Sequence, residues 1–370
     1  MTLPMDGSIP MDLVDLATQA FEKVVREDLK RVNIVIAGRS GVGKSTLINA
    51  VFQGNVAETG QGRPVTQSTT EYIKEGLPLA VLDTRGLEMA LYQETLGSLE
   101  QLVIARRSEG DLERQPHVAW ICISEESRRV EEGETRLAEM FARHGVPVVA
   151  VITKARSDQG FSDAVRSLLP GARNVARVRA LAEIDEEGNR LGLKGLSELI
   201  ELTSGLVPEA QRTAFAAVQR VNLGLKKARA HRYVVGAAST AALIGATPIP
   251  FADAVGIIPV QVGMLAGISV SFGLQVGPGF LATLVSSSFT GLAATLAGRA
   301  IVGGLLKLIP GGGSLLGGII SGATAALLTT TFGELYIAVL AKLFEAKGGE
   351  APSPEAVLGA FSQAMKEKIG

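Results

Sequence analysis

The sequence predicts an α/β domain with a mostly parallel sheet and helices on both faces, followed by a strongly apolar, all-α domain. The first observation is a G-x-x-x-x-G-K-S loop between an apolar β-run and a helical pattern. The second is the alternation of short apolar segments with amphipathic ones over residues 31–205. The third is a long stretch that is nearly free of charge. Between positions 233 and 333 the charged residues are Asp253, Arg299 and Lys307.

Four segments follow one another along the chain. Residues 1–30 form an N-terminal amphipathic helix, because apolar side chains recur at helical spacing from position 11 onward. Residues 31–205 form the α/β domain. Residues 206–347 form the apolar helical domain, in which Pro208 opens a single helix running to about Arg232. Residues 348–370 form a Gly/Pro linker and a C-terminal helix.

Apolar runs bounded by turn residues predict six strands in the α/β domain. They cover residues 32–37, 70–74, 79–83, 117–123, 146–153 and 175–180. A parallel sheet of this kind binds its ligand at the carboxyl ends of the strands.

The amino-acid composition argues against several classes of protein and site. The 370 residues carry a net charge of −1, which gives no electrostatic basis for binding nucleic acid. The single cysteine, Cys122, excludes an intrachain disulfide and fits a reducing compartment. The three histidines lie far apart, so a histidine-based metal site is not expected. The N-terminus has no secretory signal, and we expect a cytoplasmic protein.

The loop after the first strand predicts a polyphosphate site. Gly38, Gly41 and Gly43 would let backbone N–H groups turn toward phosphates, and Lys44 would reach the β- and γ-phosphates. The Ser45 hydroxyl would take one Mg²⁺ position, and the next helix adds the positive end of its dipole. The predicted nucleotide-binding residues here are Gly38, Arg39, Ser40, Gly41, Val42, Gly43, Lys44, Ser45 and Thr46.

Two further elements favour GTP over ATP. Asp83 opens a D-x-x-G match that ends at Gly86, and it would hold Mg²⁺ through water while the Gly86 N–H senses the γ-phosphate. Upstream, Thr66 stands where a first switch would place its hydroxyl on Mg²⁺, with Thr69 and Thr70 as alternatives. We therefore expect catalytic roles for Lys44, Thr66 and Gly86, and metal contacts from Ser45, Thr66 and Asp83.

The layout resembles the Era/TrmE-like branch of translation-factor-class GTPases. The segments that carry this resemblance are 117–124, with Arg128, Arg129 and Glu134 after it, and 146–155. A weaker likeness links 247–254, Gln261 and Met264 to an uncharacterised helical module that is often fused to such GTPases. The order of helix, G domain and helical domain is also similar to immunity-related and dynamin-like GTPases. The resemblance implies GTP and GDP as ligands, with Mg²⁺.

Two departures from the family pattern concern the base and the attacking water. The guanine motif N/T-K-x-D reads Thr153-Lys154-Ala155-Arg156, with an aspartate only at Asp158. Arginine cannot accept a hydrogen bond, so base selectivity passes to Asp158 or is relaxed, while Thr153 and Lys154 keep their places in the site.

Leu87 stands where Ras-type enzymes have the glutamine that positions water, which implies slow hydrolysis. Arg85 and Arg39 are candidates for stabilising charge. Either could act in cis or across a homodimer formed through the G domain. A solvated surface arginine is the favoured interpretation of each.

Three interpretations of the apolar region compete. Runs of roughly 20 uncharged residues suit membrane spans, at Tyr233–Ala252, Ala254–Gly298 and Leu308–Gly333. Flanking Lys and Arg would place both ends on the cytoplasmic face of the inner membrane. Five prolines, however, cut the runs into pieces, and a soluble Gly/Ala-rich bundle is the second interpretation. The third is a bundle that inserts in one nucleotide state. Asp253 is expected at a turn.

We therefore expect a GTP-binding protein with slow Mg²⁺-dependent hydrolysis, whose nucleotide switch controls a membrane-associating helical domain. One alternative is a soluble scaffold whose helical bundle binds a protein partner. A ribosome-assembly GTPase is the other alternative, and it is disfavoured because no basic RNA-binding module follows the G domain.

Overall fold

The computed structural model describes residues 11–54, 61–64, 69–73, 78–84, 92–185, 187–245, 252–274, 276–285 and 322–369. The chain divides into two compact units. The sheet unit comprises Asp28–Leu223, and the helical unit comprises Met1–Glu27 together with Gly224–Gly370. The N-terminal helix and the C-terminal helices therefore belong to the same unit, although they lie at opposite ends of the sequence.

The sheet unit contains one seven-stranded sheet and a two-stranded ribbon. In chain order the strands are Val32–Gly38 (β1), Gln61–Pro64 (β2), Thr69–Ile73 (β3), Leu79–Thr84 (β4), Val118–Ser124 (β5), Val148–Thr153 (β6), Ala172–Arg177 (β7), Glu183–Ile184 (β8) and Arg190–Leu191 (β9). The large sheet has the order β2-β3-β4-β1-β5-β6-β7. The five strands from β4 to β7 in that order are parallel, and β2 and β3 extend one edge antiparallel. The predicted mostly parallel sheet is confirmed.

Helices cover both faces of the parallel strands. In chain order the helices up to residue 218 are Met11–Asp28 (α1), Lys44–Val51 (α2), Tyr92–Ser108 (α3), Glu132–Arg143 (α4), Phe161–Leu168 (α5), Leu196–Leu206 (α6) and Glu209–Val218 (α7). One face packs α3, α4 and α5 against the sheet through Leu99, Leu137 and Val165. On the other face Trp120 stacks on Phe52 with ring centroids 5.8 Å apart, and its indole N–H donates to Thr203 Oγ1 of α6 at 3.0 Å.

The strand prediction missed β2 and the two ribbon strands β8 and β9, and it gave β7 different bounds. The polar segment forming β2 was not predicted as a strand, because it has no apolar alternation and pairs only at the sheet edge with β3. β7 begins three residues before the predicted position 175 and ends at Arg177. Beyond it, Arg179 forms an isolated antiparallel β-bridge with Lys194.

The prediction of one helix from Pro208 to about Arg232 was wrong. Helix α7 ends at Val218, and a new helix begins at Leu223. The Gln219 side chain makes this break, since its Oε1 accepts from the N–H groups of Val221 and Asn222 at 3.0 and 2.7 Å. A glutamine that satisfies the backbone by itself ends a helix without any glycine or proline signal.

The helical unit is all-α in its described part, as predicted. After residue 222 its helices are Leu223–Gly245 (α8), Ala252–Ser271 (α9), residues 278–285 (α10), Gly322–Ala346 (α11) and Pro354–Ile369 (α12). Pro259 lies inside α9, so this proline does not interrupt the apolar run, contrary to the expectation. Asp253 belongs to the first turn of the same helix and not to a turn between helices, so the expectation for it was wrong.

Small residues allow these helices to pack closely. A Cβ on Gly333 of α11 would come within 2.7 Å of Val234 on α8 and 2.8 Å of Met264 on α9. A Cβ on Gly267 would overlap the ring of Tyr233. A Cβ on Gly263, by contrast, would face open space.

The centre of the helical unit is aromatic with a few buried polar groups. Tyr336 is fully buried, contacts Phe361 edge-on at 5.2 Å, and shares a 2.8 Å hydrogen bond with Ser269. Lys226 is also fully buried, and its ammonium lies 4.9 Å from the centre of the Phe344 ring. Burial holds the pKa of Lys226 well below its usual value.

Within the described residues one helix, α11, is long and apolar enough to cross a membrane, and 39% of its most apolar window is buried inside the protein. Core helices of soluble proteins satisfy the same criteria, so this is weak support for a membrane span. Of the three predicted spans, Leu308–Gly333 overlaps α11 only in its last twelve residues, and 308–321 lie outside the described residues.

Candidate nucleotide site

The loop between β1 and α2 has a backbone that glycine alone adopts without strain. Gly38 has φ +154°, and a Cβ there would lie 2.5 Å from the carbonyl oxygen of Cys122 on β5. Gly41 and Gly43 have φ of +74° and +97°, in the left-handed region. Gly43 is also the N-cap of α2, so the loop leads directly into the helix N-terminus. This is the strand, loop and helix arrangement that binds phosphates.

Lys44 is the first residue of α2 and is 9% exposed. Its ammonium donates to the carbonyl oxygens of Gly38 at 2.9 Å and Arg39 at 3.1 Å, which holds it across its own loop. Ser45 and Thr46 follow it with exposed side chains in the first helical turn. The structure therefore brings together the phosphate-binding residues predicted at 38–46.

Asp83 stands at the end of β4, next to Ile36 of β1 in the strand register. Its Oδ1 is buried and, among the residues that the structure describes, has no hydrogen-bond partner. Burial raises the pKa of Asp83 to about 6, and the Lys44 charge opposes that rise. A carboxylate oxygen that is buried without a partner has a high free energy unless a donor or a cation satisfies it.

The residues around Asp83 fit Mg²⁺. This cation takes oxygen ligands, keeps several waters, and is held through one or two protein groups together with substrate phosphates. The unsatisfied Asp83 oxygen and the exposed Ser45 hydroxyl beside the loop are such groups. The described residues contain no cluster of three or more His, Cys, Asp or Glu that would form an all-protein metal cage.

The switch residues are only partly described. Thr66 and Gly86, with Arg85 and Leu87, lie outside the described residues. The backbones of Thr69 and Thr70 begin β3 and pair with Thr84 and Asp83 of β4.

Arg39 and Ser40 are exposed in the phosphate-binding loop. The Arg39 guanidinium lies 3.0 Å from a Glu131 oxygen, which Arg129 contacts as well at 2.8 Å. Glu131 begins α4 as part of a capping box with Glu134. Burial raises the pKa of Glu134 to about 7. Arg39 is therefore held at the rim of the loop by an exposed ion pair that a ligand can replace.

Thr153 ends β6 and connects the loop at 39–43 to the predicted base-binding segment. Its buried hydroxyl lies 2.6 Å from the carbonyl oxygen of Val42 and 3.2 Å from that of Ile123. Lys154 follows with φ +52°, a conformation that is uncommon for a residue other than glycine, and its ammonium contacts Glu126 at 2.9 Å.

Arg156 and Asp158 are both engaged with other parts of the chain. The Arg156 guanidinium binds Glu183 at 2.8 Å. Asp158 Oδ1 accepts from the Ser162 N–H at 2.9 Å and the Ser162 hydroxyl at 2.7 Å, and Arg177 lies 3.3 Å from it. The Ser162 hydroxyl is the main cause of a lowered pKa at Asp158. Asp158 thus stabilises the first turn of α5.

Several charged residues near this segment were not predicted as site residues. Glu125 is buried just after β5, where its carboxylate accepts from the Arg156 N–H at 2.6 Å and from Arg177 at 2.6 and 2.9 Å. Arg179 is buried just after β7. Both positions follow the carboxyl end of a parallel strand, and that position was the sequence signal that could have identified them.

Two family models match the chain. The first, described as a 50S ribosome-binding GTPase, matches residues 33–154, and the second, described as a domain of unknown function (DUF697), matches residues 211–367.

Two curated GTPases are similar over the first of these regions. GTPase Der of Rhizobium etli (strain CIAT 652) is 32% identical over 136 residues, which are 35% of this chain and 27% of Der. The tRNA modification GTPase MnmE of Burkholderia mallei (strain SAVP1) is 32% identical over 136 residues, which are 35% of this chain and 26% of MnmE. The chain therefore spans less than a third of the length of either relative.

The solved structures that match the chain include a variant of Aquifex aeolicus Era bound to GDP and AlF₄⁻, at 16% identity, covering 60% of this chain and 70% of that one with a TM-score of 0.31. Toc33 from Arabidopsis thaliana in complex with GDP and Mg²⁺ is 15% identical, covering 58% of this chain and 97% of that one with a TM-score of 0.32. The chain combines a GTP-binding P-loop GTPase domain with a C-terminal helical domain, as its resemblance to Era/TrmE-like GTPases predicted.

Proposed function

We propose that the chain is a Mg²⁺-dependent nucleotide switch that hydrolyses GTP slowly and thereby controls its helical domain. The observation that carries this proposal is the pairing of a phosphate-binding loop around Lys44 with an unsatisfied carboxylate oxygen on Asp83. Lys44 supplies positive charge for the phosphates. Asp83 would supply negative charge for a Mg²⁺ ion that neutralises phosphate charge, as such carboxylates do in P-loop GTPases.

Mg²⁺, when bound, neutralises charge on the β- and γ-phosphates. Ser45 and Thr66 would hold it through hydroxyls, and Asp83 through its carboxylate. The chain's own contribution is to hold Lys44 across the loop with two carbonyl oxygens, so that the ammonium needs little reorganisation when phosphate arrives.

Slow turnover is proposed because Leu87 cannot orient an attacking water. We expect single-turnover hydrolysis on the order of 10⁻³ per second without a partner protein. A time course of phosphate release with GTP and Mg²⁺, compared with GTP and EDTA, tests both parts. Turnover in EDTA at the same rate as in Mg²⁺ would contradict the metal requirement.

The output of the switch is proposed to be association of the helical domain with the cytoplasmic face of a membrane. Support comes from the composition of α11 and from apolar side chains that are exposed on the helices of the helical unit. Leu243 is 73% exposed, Val235 is 53% exposed, and Leu327 is 41% exposed. Apolar surface of this kind marks interaction sites when it is contiguous.

A flotation experiment with liposomes in the GTP and GDP states tests the membrane output. Leu327→Asp should weaken flotation and leave nucleotide binding unchanged, because the side chain is exposed. Ile268→Asp is the contrasting variant, since Ile268 is fully buried. A charge there should lower the unfolding free energy of the helical unit by about 3–5 kcal/mol with or without lipid. Wild-type protein that stays with the soluble fraction in both nucleotide states would overturn the membrane output.

The second candidate is a soluble scaffold whose helical domain binds a protein. It is favoured by the middle of α9, where Leu265, Ala266 and Ile268 are fully buried within the chain itself. The ribosome-binding name of the matched family suggests a third candidate, and co-sedimentation with ribosomal subunits tests it.

A further inference from the structure

The helices α8 and α11 of the helical unit lie side by side and run in opposite directions. A Cβ on Gly245, the last residue of α8, would lie 3.1 Å from the Cα of Gly322, the first residue of α11. Further back on α8, His231 contacts Glu334 of α11, with Nδ1 and Oε1 2.5 Å apart. The two helices therefore stay together from this ion pair to the Gly245 end.

Both helices lose their charged side chains at the same level. Arg232 is the last charged residue of α8, and Glu334 is the first charged residue of α11. Beyond them, residues 233–245 and 322–333 carry no charge, and we call these two segments the paired tip. At 1.5 Å per residue the segments are about 20 and 18 Å long. A bilayer has a hydrocarbon core of about 30 Å, so the paired tip is long enough to enter one leaflet.

The paired tip exposes apolar side chains. Val235 and Leu243 are eight residues apart on one face of α8, with Ser239 midway between them, and they are 53% and 73% exposed. On α11, Leu327 is 41% exposed. Exposed apolar side chains on neighbouring helices favour a partner that is itself apolar.

Hydroxyl groups of the paired tip are satisfied within their own helices. Ser239 and Thr240 on α8, and Thr330 and Thr331 on α11, each donate to the carbonyl oxygen four residues earlier, at 2.9 to 3.0 Å. Thr329, whose hydroxyl has no partner among the described residues, is buried inside the protein and does not lie on this surface. In hydrocarbon a hydroxyl cannot bond to water, so such internal bonds are what a lipid-facing helix needs.

Basic side chains stand on the charged side of the boundary. Lys227 and Arg232 are exposed on α8, and Arg229 between them is half-buried. The acid of α11 at this level, Glu334, is bound by His231, and the next acid of α11 is Glu345, about three turns further from the paired tip. A band of basic residues beside an apolar surface is complementary to anionic lipid headgroups.

We propose that the paired tip enters a membrane leaflet with anionic headgroups, and that the His231–Glu334 contact marks the level at which entry stops. This inference rests on the proposed membrane output, and it adds the inserting surface, its orientation and the class of lipid. A protein partner on the same surface would not depend on headgroup charge.

Flotation of the full chain tests the inference without any variant. Vesicles of phosphatidylcholine alone are compared with vesicles of phosphatidylcholine and phosphatidylglycerol, with Mg²⁺ and either GTP or GDP. We expect the partition coefficient to be at least about 30-fold higher for the anionic vesicles, and added salt to reduce the difference. Equal partitioning would overturn the inference and leave the membrane output standing. If neither vesicle recruited the protein in either nucleotide state, the membrane output itself would fail, and this inference would fall with it.

A double variant, Lys227→Gln with Arg232→Gln, removes two charges from the boundary. Each basic residue near an anionic surface contributes about fivefold to the partition coefficient, so we expect a loss of about 25-fold on anionic vesicles and no change on neutral ones. Arg173→Gln is the matched control, because Arg173 is an exposed arginine on β7 of the sheet unit. Thermal melting checks that the variants are folded. A folded double variant that binds anionic vesicles like wild type would contradict the role of the basic band.

Fluorophores attached to single cysteines test the orientation. Leu243→Cys lies in the paired tip, and Ala228→Cys is an exposed position on the charged side of the boundary. Cys122 is fully buried, so it does not compete for the label in the folded protein. A quencher carried on the lipid acyl chains should quench the label at position 243 and spare the label at position 228. Equal quenching at both positions would show that the helices do not enter tip first.

Discussion

The two ends of the nucleotide site are built in different ways. The phosphate end, residues 38–46, is made by backbone geometry over nine consecutive residues, and its lysine bonds within its own loop. The base end, residues 153–158 with Glu125, Arg177 and Glu183, is made by side-chain ion pairs between residues 19 to 52 positions apart. A short motif can specify the first, whereas the second depends on which side chains the fold brings together.

Lys44→Ala should have the largest effect and would test the phosphate end directly. No other cation of the described residues bonds across this loop, so we expect GTP affinity to fall by at least about 100-fold. Equilibrium binding of labelled GTP measures this, with Lys227→Ala as an exposed lysine control. Retention of wild-type affinity would show that the loop does not bind phosphate.

Gly38→Ala and Gly41→Ala compare two glycines of the same loop. At Gly38 a Cβ would collide with the Cys122 carbonyl oxygen, and we expect a loss of about 3 kcal/mol in unfolding free energy. At Gly41 nothing lies within 4 Å, so only the left-handed backbone is penalised, by about 1 kcal/mol. Urea denaturation of both variants decides whether contact with β5 or φ alone requires glycine. Equal losses would contradict the collision argument.

Asp83→Asn should stabilise the nucleotide-free protein while impairing its function. Because burial raises the Asp83 pKa from 3.8 to about 6, the folded state binds this proton more tightly than the unfolded chain does. The contribution of Asp83 to stability therefore falls as the pH rises from about 4 to about 6, and the full loss, about 2–3 kcal/mol, is present at pH 8.

Denaturation of the nucleotide-free Asp83→Asn variant should thus show a gain of about 2 kcal/mol at pH 8 and almost none at pH 4. Mg²⁺-dependent GTP binding should weaken in the same variant. A variant that is less stable than wild type at pH 8 would mean that the Asp83 charge is satisfied in the nucleotide-free protein.

Asp158→Ala should have the smallest effect and sharpens the description of the base end. If Asp158 serves mainly as the cap of α5, unfolding free energy should fall by about 1 kcal/mol, and the ratio of GTP to ATP affinity should change by less than about threefold. The sequence interpretation, in which Asp158 accepts from guanine, instead requires GTP affinity to fall much more than ATP affinity. Parallel titrations with both nucleotides separate the two outcomes.

The features that could be predicted from the sequence are those that depend on local patterns, as at the phosphate end of the site. The phosphate loop, the parallel order of strands and the all-α helical domain were predictable because spacing and periodicity act locally. Gln219 ended a helix through its own side chain, and Arg179 lies just after a strand that was predicted with a different boundary. The Gln219 contacts are local but carry no glycine or proline signal, whereas Arg179 could have been identified from its place after the carboxyl end of a parallel strand.

The Thr153 hydroxyl, which joins the loop carbonyl of Val42 to β5 and β6, has a consequence for the entropy of binding. Two loops that moved independently would each have to be ordered when a nucleotide docks. Because the Thr153 hydroxyl bridges the two loops, binding of the phosphates to one loop also orders the loop that would receive the base. Inorganic diphosphate and a nucleoside should then bind separately with association constants whose product is smaller than the association constant of the intact nucleotide. Each fragment must order the protein by itself, whereas the intact nucleotide orders it only once.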